Sequence, residues 1–188
     1  ERRKGGETGV KAVQLIEGDD VWKAGDAGRW SKRLLTAALS RSDSPQGLTI
    51  EDARTQDLAG SGQLPKIVKN PAAYLIEHND GLKSTLLMLN GAVRDFTFAA
   101  KVRGMPGIPS TQFFLSPTPN VTYSACLVSK IEEMFVTGRA PYPVERTLIV
   151  SGVLEACLTS KVQNHQRLET PQLNVRYRAP RQSNHPRS

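Results

Sequence analysis

The chain predicts an α+β domain, an open, mostly antiparallel β-sheet with helices packed on one face. Three observations predict it. Val10–Ile16, Ala72–His78 and Leu82–Asn90 are apolar, strand-length runs. The last two flank Asn79-Asp80-Gly81, a strong hairpin turn. Val128–Lys161 reads instead as two amphipathic helices joined by a Gly/Pro corner. At 188 residues the chain suits one domain, taken as 1–177, followed by a basic, flexible tail at 178–188.

Each element has a local reason. Glu1–Gly9, ERRKGGETG, reads as a helix end followed by a turn, and Val10–Ile16 as a strand after the glycines. Asp20–Gly28, rich in Asp and Gly, reads as a loop. Trp30, Leu34, Leu35, Ala38 and Leu39 recur at helical spacing, with Ser31 as the N-cap and Pro45 forbidding continuation. Ser42–Lys69 is expected to be a long loop with one short helix around Ile50–Thr55. The glycine of the hairpin and its Asn/Asp neighbours tolerate the positive φ of a tight reversal. Phe96–Val102 and Thr111–Leu115 offer two further strands, broken by Gly104, Pro106, Gly107 and Pro109.

Asn120 is expected to cap a helix whose apolar face is Tyr123, Cys126, Leu127, Ile131, Met134 and Phe135, stopped by Gly138. Pro143 suits the first turn of the next helix, where a missing N–H costs little. Leu148, Leu154, Cys157 and Leu158 are expected to form much of that helix's buried stripe. Leu173–Tyr177 reads as an edge strand.

Composition bounds the class. A hydrophobic share of 38% and a mean hydropathy of −0.38 fit a soluble protein with an adequate core. Apolar runs such as Leu86–Leu89 fall far short of the roughly 20 residues that span a bilayer, so no membrane partner is expected. With no secretory signal and two cysteines, Cys126 and Cys157, in neither a metal-site nor a CxxC spacing, the expectation is buried free thiols in a reducing, cytoplasmic setting. Beginning at Glu1, the chain is expected to be a fragment or a processed product. The net charge of +7 collects partly at the ends, through Arg2, Arg3 and Lys4 and through Arg176, Arg178, Arg181 and Arg187. Aromatics at 6% are too sparse for a base-stacking platform, so a nucleic-acid-binding module is the lesser alternative.

No residue cluster supplies a complete catalytic, metal or cofactor site. Gly5-Gly6-Glu7-Thr8-Gly9 precedes a strand rather than opening a helix, lacks the Walker lysine and reads as a turn. Glu77 and His78 are adjacent in a strand, so they face opposite ways and do not converge; a solvated hairpin tip is expected. Arg146 is expected in an Arg–carboxylate pair that fixes the Pro-Tyr-Pro corner, or lining a cleft with Tyr142. His165 with Glu169 lies in a polar segment, and His78, His165 and His185 are too dispersed for a metal cluster.

Three stretches carry a family resemblance. LIEHNDGLKSTLLML (Leu75–Leu89), IEEMFVTG (Ile131–Gly138) and Tyr142–Lys161 resemble the C-terminal domain of the glucose–fructose oxidoreductase / inositol dehydrogenase (Gfo/Idh/MocA) superfamily. GGETGVKAVQ and PYPVERTL look most like uncharacterised bacterial members, and the resemblance covers most of Gly5–Tyr177. It implies the substrate/oligomerisation half of an NAD(P)-dependent oxidoreductase acting on a sugar- or polyol-like substrate. The dinucleotide fingerprint and the catalytic lysine would belong to an N-terminal Rossmann domain of the same protein, so no catalytic residue and no cofactor is assigned to this chain. The expected partners are that domain, a small-molecule substrate and further copies in a homo-oligomer. Asn90, Asp95, Tyr123, Tyr142 and Arg146 are the residues expected to line the shared cleft. The alternative of a different class is a non-catalytic assembly domain that dimerises.

Overall fold

A computed structural model describes residues 5–44, 62–114 and 121–179. The expected helix around Ile50–Thr55, the Asn120 cap, the Glu1–Lys4 helix end and nearly all of the basic tail lie outside them. The described elements are, in order, β1 (Val10–Glu17), α1 (Asp19–Asp26), α2 (Lys32–Leu39), α3 (Leu64–Ile67), β2 (Ala72–His78), β3 (Lys83–Met88), β4 (Thr97–Ala99), β5 (Ser110–Gln112), α4 (Val121–Thr137), α5 (Val144–Val162) and β6 (Leu168–Glu169). A 3₁₀ turn follows at Pro171–Leu173. The fold is α+β, with an open, mostly antiparallel sheet in the order β3-β2-β1-β6. Strands β4 and β5 form a separate antiparallel ribbon.

The chain divides into two compact units, one of Glu1–Gln14, Ile76–Lys83 and Phe114–Ser188, the other of Leu15–Leu75 and Ser84–Phe113. We call them the first and second units. The second unit carries α1, α2, α3 and the β4–β5 ribbon around two apolar clusters. One joins Leu39, Leu64, Val68, Leu89 and Ala92, and the other joins Ile16, Val21, Ala24, Trp30 and Ala73. Residues 20–28 are mostly helix rather than the expected loop. Asp19 and Asp20 sit in the first turn of α1, where acidic groups favour the helix dipole. Val21 and Ala24 then fall on one buried face. Ser31 caps α2 as expected, its hydroxyl accepting from the Leu34 N–H at 3.3 Å.

In the first unit, Gly81 adopts φ 84 in the β2–β3 turn, and the Asp80 carboxylate accepts from the Leu82 N–H at 3.1 Å. The expected edge strand at Leu173–Tyr177 is replaced by β6, the 3₁₀ turn and a single bridge from Tyr177 to Glu7. Thr170 sets that register. Its N–H donates to Lys11 O at 2.9 Å and its hydroxyl to Val10 O at 2.9 Å, which docks 168–170 against β1. The Gly5–Gly9 segment is bound up in this structure: the Glu7 carboxylate accepts from the Thr8 and Gly9 N–H groups, and a Cβ on Gly6 would stand 2.4 Å from Tyr177 O. No helix of the described residues is long and apolar enough to cross a membrane.

Candidate functional site

The most unusual surface belongs to α4 and α5, both in the first unit. Helix α4 places Leu127, Val128, Ile131, Met134 and Phe135 on one stripe at steps of three and four. The apolar face expected there was Tyr123, Cys126, Leu127, Ile131, Met134 and Phe135. None of the helix's described side chains is buried, and Phe135 is 79% exposed. Most helical stability in proteins comes from packing an apolar face, which the described side chains of α4 do not bury.

Helix α5 is apolar on two sides. Its inner side buries Ile149, Ala156, Cys157 and Ser160, and Gly152 lets Leu173 approach so closely that a Cβ there would stand 2.4 Å from a Leu173 methyl. Its outer side carries Val144, Leu148, Val150, Leu154, Leu158 and Val162, all exposed. Of the four residues expected in the buried stripe, only Cys157 is buried; Leu148, Leu154 and Leu158 are about half exposed, at 51%, 51% and 50%. The helix has apolar residues all round, a pattern that belongs inside a larger core. The exposed apolar side chains of each helix present on the order of 500 Å², comparable with the 300–600 Å² of the largest patch on a typical monomer. Gly138, at φ 65, ends α4, and Pro143 precedes α5 as its N-cap rather than sitting in its first turn.

The five residues expected to line a cleft fall in both units. Tyr142 and Arg146 meet, the guanidinium lying 5.3 Å from the ring centroid, an exposed cation–π pair at the start of α5. Tyr123 lies near the start of α4 in the same unit. Asn90 and Asp95 belong to the second unit, Asn90 in an exposed turn after β3.

Asp95 is a hub of its own unit. One carboxylate oxygen accepts from the Ser42 and Ser44 hydroxyls at 2.8 and 3.0 Å, the other from the Asp43 N–H and the Gln112 amide at 2.7 Å each. Those four donors match the acceptor capacity of a carboxylate, so Asp95 is engaged within its own unit. Burial works to raise its pKa; the hydrogen bonds from Ser42, Asp43, Gln112 and Ser44 outweigh it and hold the carboxyl below the ordinary value.

Glu77 and His78 diverge as the strand alternation requires. Glu77 takes a bidentate pair from Arg167 at 2.9 Å for both bonds, which lowers its pKa. His78 turns the other way, its ring nitrogen 3.4 Å from the Glu7 carboxylate, with only 12% and 6% of the two side chains exposed. The pair is a nearly buried clasp and not the solvated tip expected; the exposed tip is Asn79 to Gly81. His165 is held at φ 62, with its carbonyl accepting from the Gln14 amide at 2.6 Å. Among the described residues no group of three His, Cys, Asp or Glu side chains is placed to hold a metal ion. Cys157 is buried, which pushes its thiol up to about 11, while Cys126 is half-buried and also free.

No protein-family model matches the chain, and neither a curated protein nor a solved structure matches it.

Proposed function

We propose that the chain is the substrate/oligomerisation-type half of an NAD(P)-dependent oxidoreductase-like protein. Helices α4 and α5 are its docking layer for a nucleotide-binding N-terminal domain. The observation that carries the docking is the apolar outer side of α5 together with an α4 none of whose described side chains is buried. A second folded body laid over this layer would complete a core that the chain builds only on one side. The sequence resemblance supplies that body's identity and the reaction, hydride transfer between a nicotinamide and a sugar- or polyol-like hydroxyl. Tyr142 and Arg146 lie at the start of α5, where they would meet a substrate held between the two domains; Tyr123, in the same unit, is the other proposed cleft residue. A non-catalytic assembly domain would use the same layer, and activity of the intact protein separates the two.

The test is hydrogen exchange on the chain alone and on the intact protein that includes the sequence ahead of Glu1. Exposed, unanchored helices exchange fast. The α4 amides are expected to exchange rapidly in the chain alone and slowly in the intact protein, and Leu154→Glu should abolish that protection. Slow α4 exchange in a monomeric chain would refute the docking. A preceding coding sequence without a strand–glycine-loop–helix would refute the oxidoreductase assignment.

A further inference from the structure

We propose that Asn90 is a self-modification site, where the side-chain amide condenses with the Gly91 backbone nitrogen and the residue converts to aspartate and isoaspartate. The two residues form the tip of the reversal after β3, and both are exposed. Leu89 O closes the turn, accepting from the Ala92 and Val93 N–H groups at 3.0 and 3.1 Å. Gly91 takes the positive φ, 92, that such a reversal asks of its third residue. Its own N–H is engaged by none of the described residues, and a Cβ there would meet nothing within 4 Å. The attacking nitrogen is therefore unshielded, and glycine leaves its backbone able to swing toward the Asn90 side-chain carbonyl. Each other asparagine among the described residues lacks one of these conditions. Asn70 precedes Pro71, whose nitrogen carries no proton to give up. Asn79 has its amide held by Thr8 O and the Asn174 side chain at 3.0 and 3.1 Å. Asn164 precedes His165, whose N–H donates to Ser160 O at 2.7 Å. Asn174 accepts from Asn79 and precedes Val175, a β-branched residue that crowds its own nitrogen.

The step balances with water as its only co-reactant. The Gly91 nitrogen bonds to Asn90 Cγ and gives up its proton, the Cγ–Nδ2 bond breaks, and ammonia leaves behind a cyclic succinimide. Water then opens the ring. Attack at Cγ restores the main chain as aspartate; attack at the main-chain carbonyl carbon routes the chain through Cβ and Cγ as isoaspartate. The second product bears on the core. Leu89 and Ala92, on either side of the reacting pair, are both buried with Leu39, Leu64 and Val68, and Trp22 packs against that cluster. An extra main-chain carbon between two anchored ends does not fit a tight reversal, so either the turn bond or the seating of Leu89 and Ala92 is lost in a close-packed interior. Aspartate adds only a charge at an exposed tip. The site is an ageing lesion that loosens the second unit, and it lies outside the helices proposed for docking.

The experiment ages the whole folded chain at mildly alkaline pH and maps it with trypsin at intervals. Cleavage after Lys83 and Arg94 releases Ser84–Arg94 as one peptide. That peptide is expected to gain the mass of an amide-to-acid change, as two isomers separable by chromatography, ahead of the peptides that carry Asn79, Asn164 and Asn174. Asn90→Gln, whose longer side chain would have to close a larger ring, should lose the gain at this peptide. Aged wild type enriched in isoaspartate should show a lower urea midpoint by tryptophan emission, and Asn90→Asp a midpoint close to that of the fresh chain. A Ser84–Arg94 peptide that stays unmodified in the folded chain while it converts in urea overturns the site, as does conversion no faster than at the other asparagines. An aged chain with an unchanged midpoint, or an Asn90→Asp variant weakened as much as the aged chain, overturns the role given to isoaspartate.

Discussion

Asp95 offers the sharpest test of how the second unit is held together. It ties three successive residues after α2, Ser42 to Ser44, to Gln112 of the ribbon through four hydrogen bonds of 2.7–3.0 Å. Ser44 extends the tie, its hydroxyl accepting from the Arg94 N–H at 2.8 Å. A hydrogen bond to a charged group contributes about 1.5–3 kcal/mol, but these donors are only partly buried and water replaces much of that. Asp95→Ala should therefore cost about 2 kcal/mol, far less than four such bonds summed. Asp95→Asn keeps an acceptor for the Asp43 N–H and should cost about half as much. Both tryptophans, Trp22 and Trp30, lie in this unit with ring centroids 6.4 Å apart, so urea unfolding followed by their emission reads the right region. Because the folded carboxyl lies below its ordinary value of 3.8, its contribution is complete above that value and is lost as pH falls through the lowered folded pKa. The stability gap between wild type and Asp95→Ala should close in that acid range. An unchanged urea midpoint in Asp95→Ala, or a gap that persists in acid, would refute the hub.

Two further outcomes follow from packing. In Gly25→Ala the new Cβ would stand 2.4 and 2.7 Å from Trp30 ring atoms, and that ring is tethered by its N–H to Val21 O at 2.8 Å. Overpacking of about 1–3 kcal/mol should outweigh the roughly 1 kcal/mol that Ala gains over Gly in a helix, seen as a lower melting temperature with shifted tryptophan emission; a raised one would show the ring can yield. A disulfide reagent should titrate one thiol per native chain, Cys126, and two after denaturation, since Cys157 is buried with its thiol pushed up to about 11; two fast thiols in the native chain would contradict that burial.

The sequence was legible where the signal was local. The Asn-Asp-Gly reversal, the Ser31 cap and the β-branched run of β1 each depend on residues within a few positions, and each lies where it was expected. α1 was missed because Asp19, Asp20 and Gly25 read as loop residues by composition. The acids in fact complement the helix dipole, and the glycine is there for the Trp30 ring. The partners of Asp95, Glu77 and His78 come from 17 to 90 positions away, and no spacing rule reaches that far. The FxF of Phe96 and Phe98 was visible, but its meeting with Phe113 depends on strand register, which Thr97–Ala99 and Ser110–Gln112 are too short to announce.

Helix α5 shows why a correct element can carry a wrong burial assignment. A stripe was sought on the assumption that such a helix has one apolar side, and Leu148, Leu154 and Leu158 satisfied it. Ile149, Ala156 and Cys157 satisfy it equally well on another side, and periodicity alone cannot rank two apolar faces. What decides between them is fit. Gly152 admits Leu173 against the helix, and Ser160 can be buried because its hydroxyl donates to Gln166 O at 2.6 Å. The small residues thus mark the side closed within the chain, and the leucines lie on the side that stays exposed. The six apolar residues on that side are the observation on which the proposed docking rests.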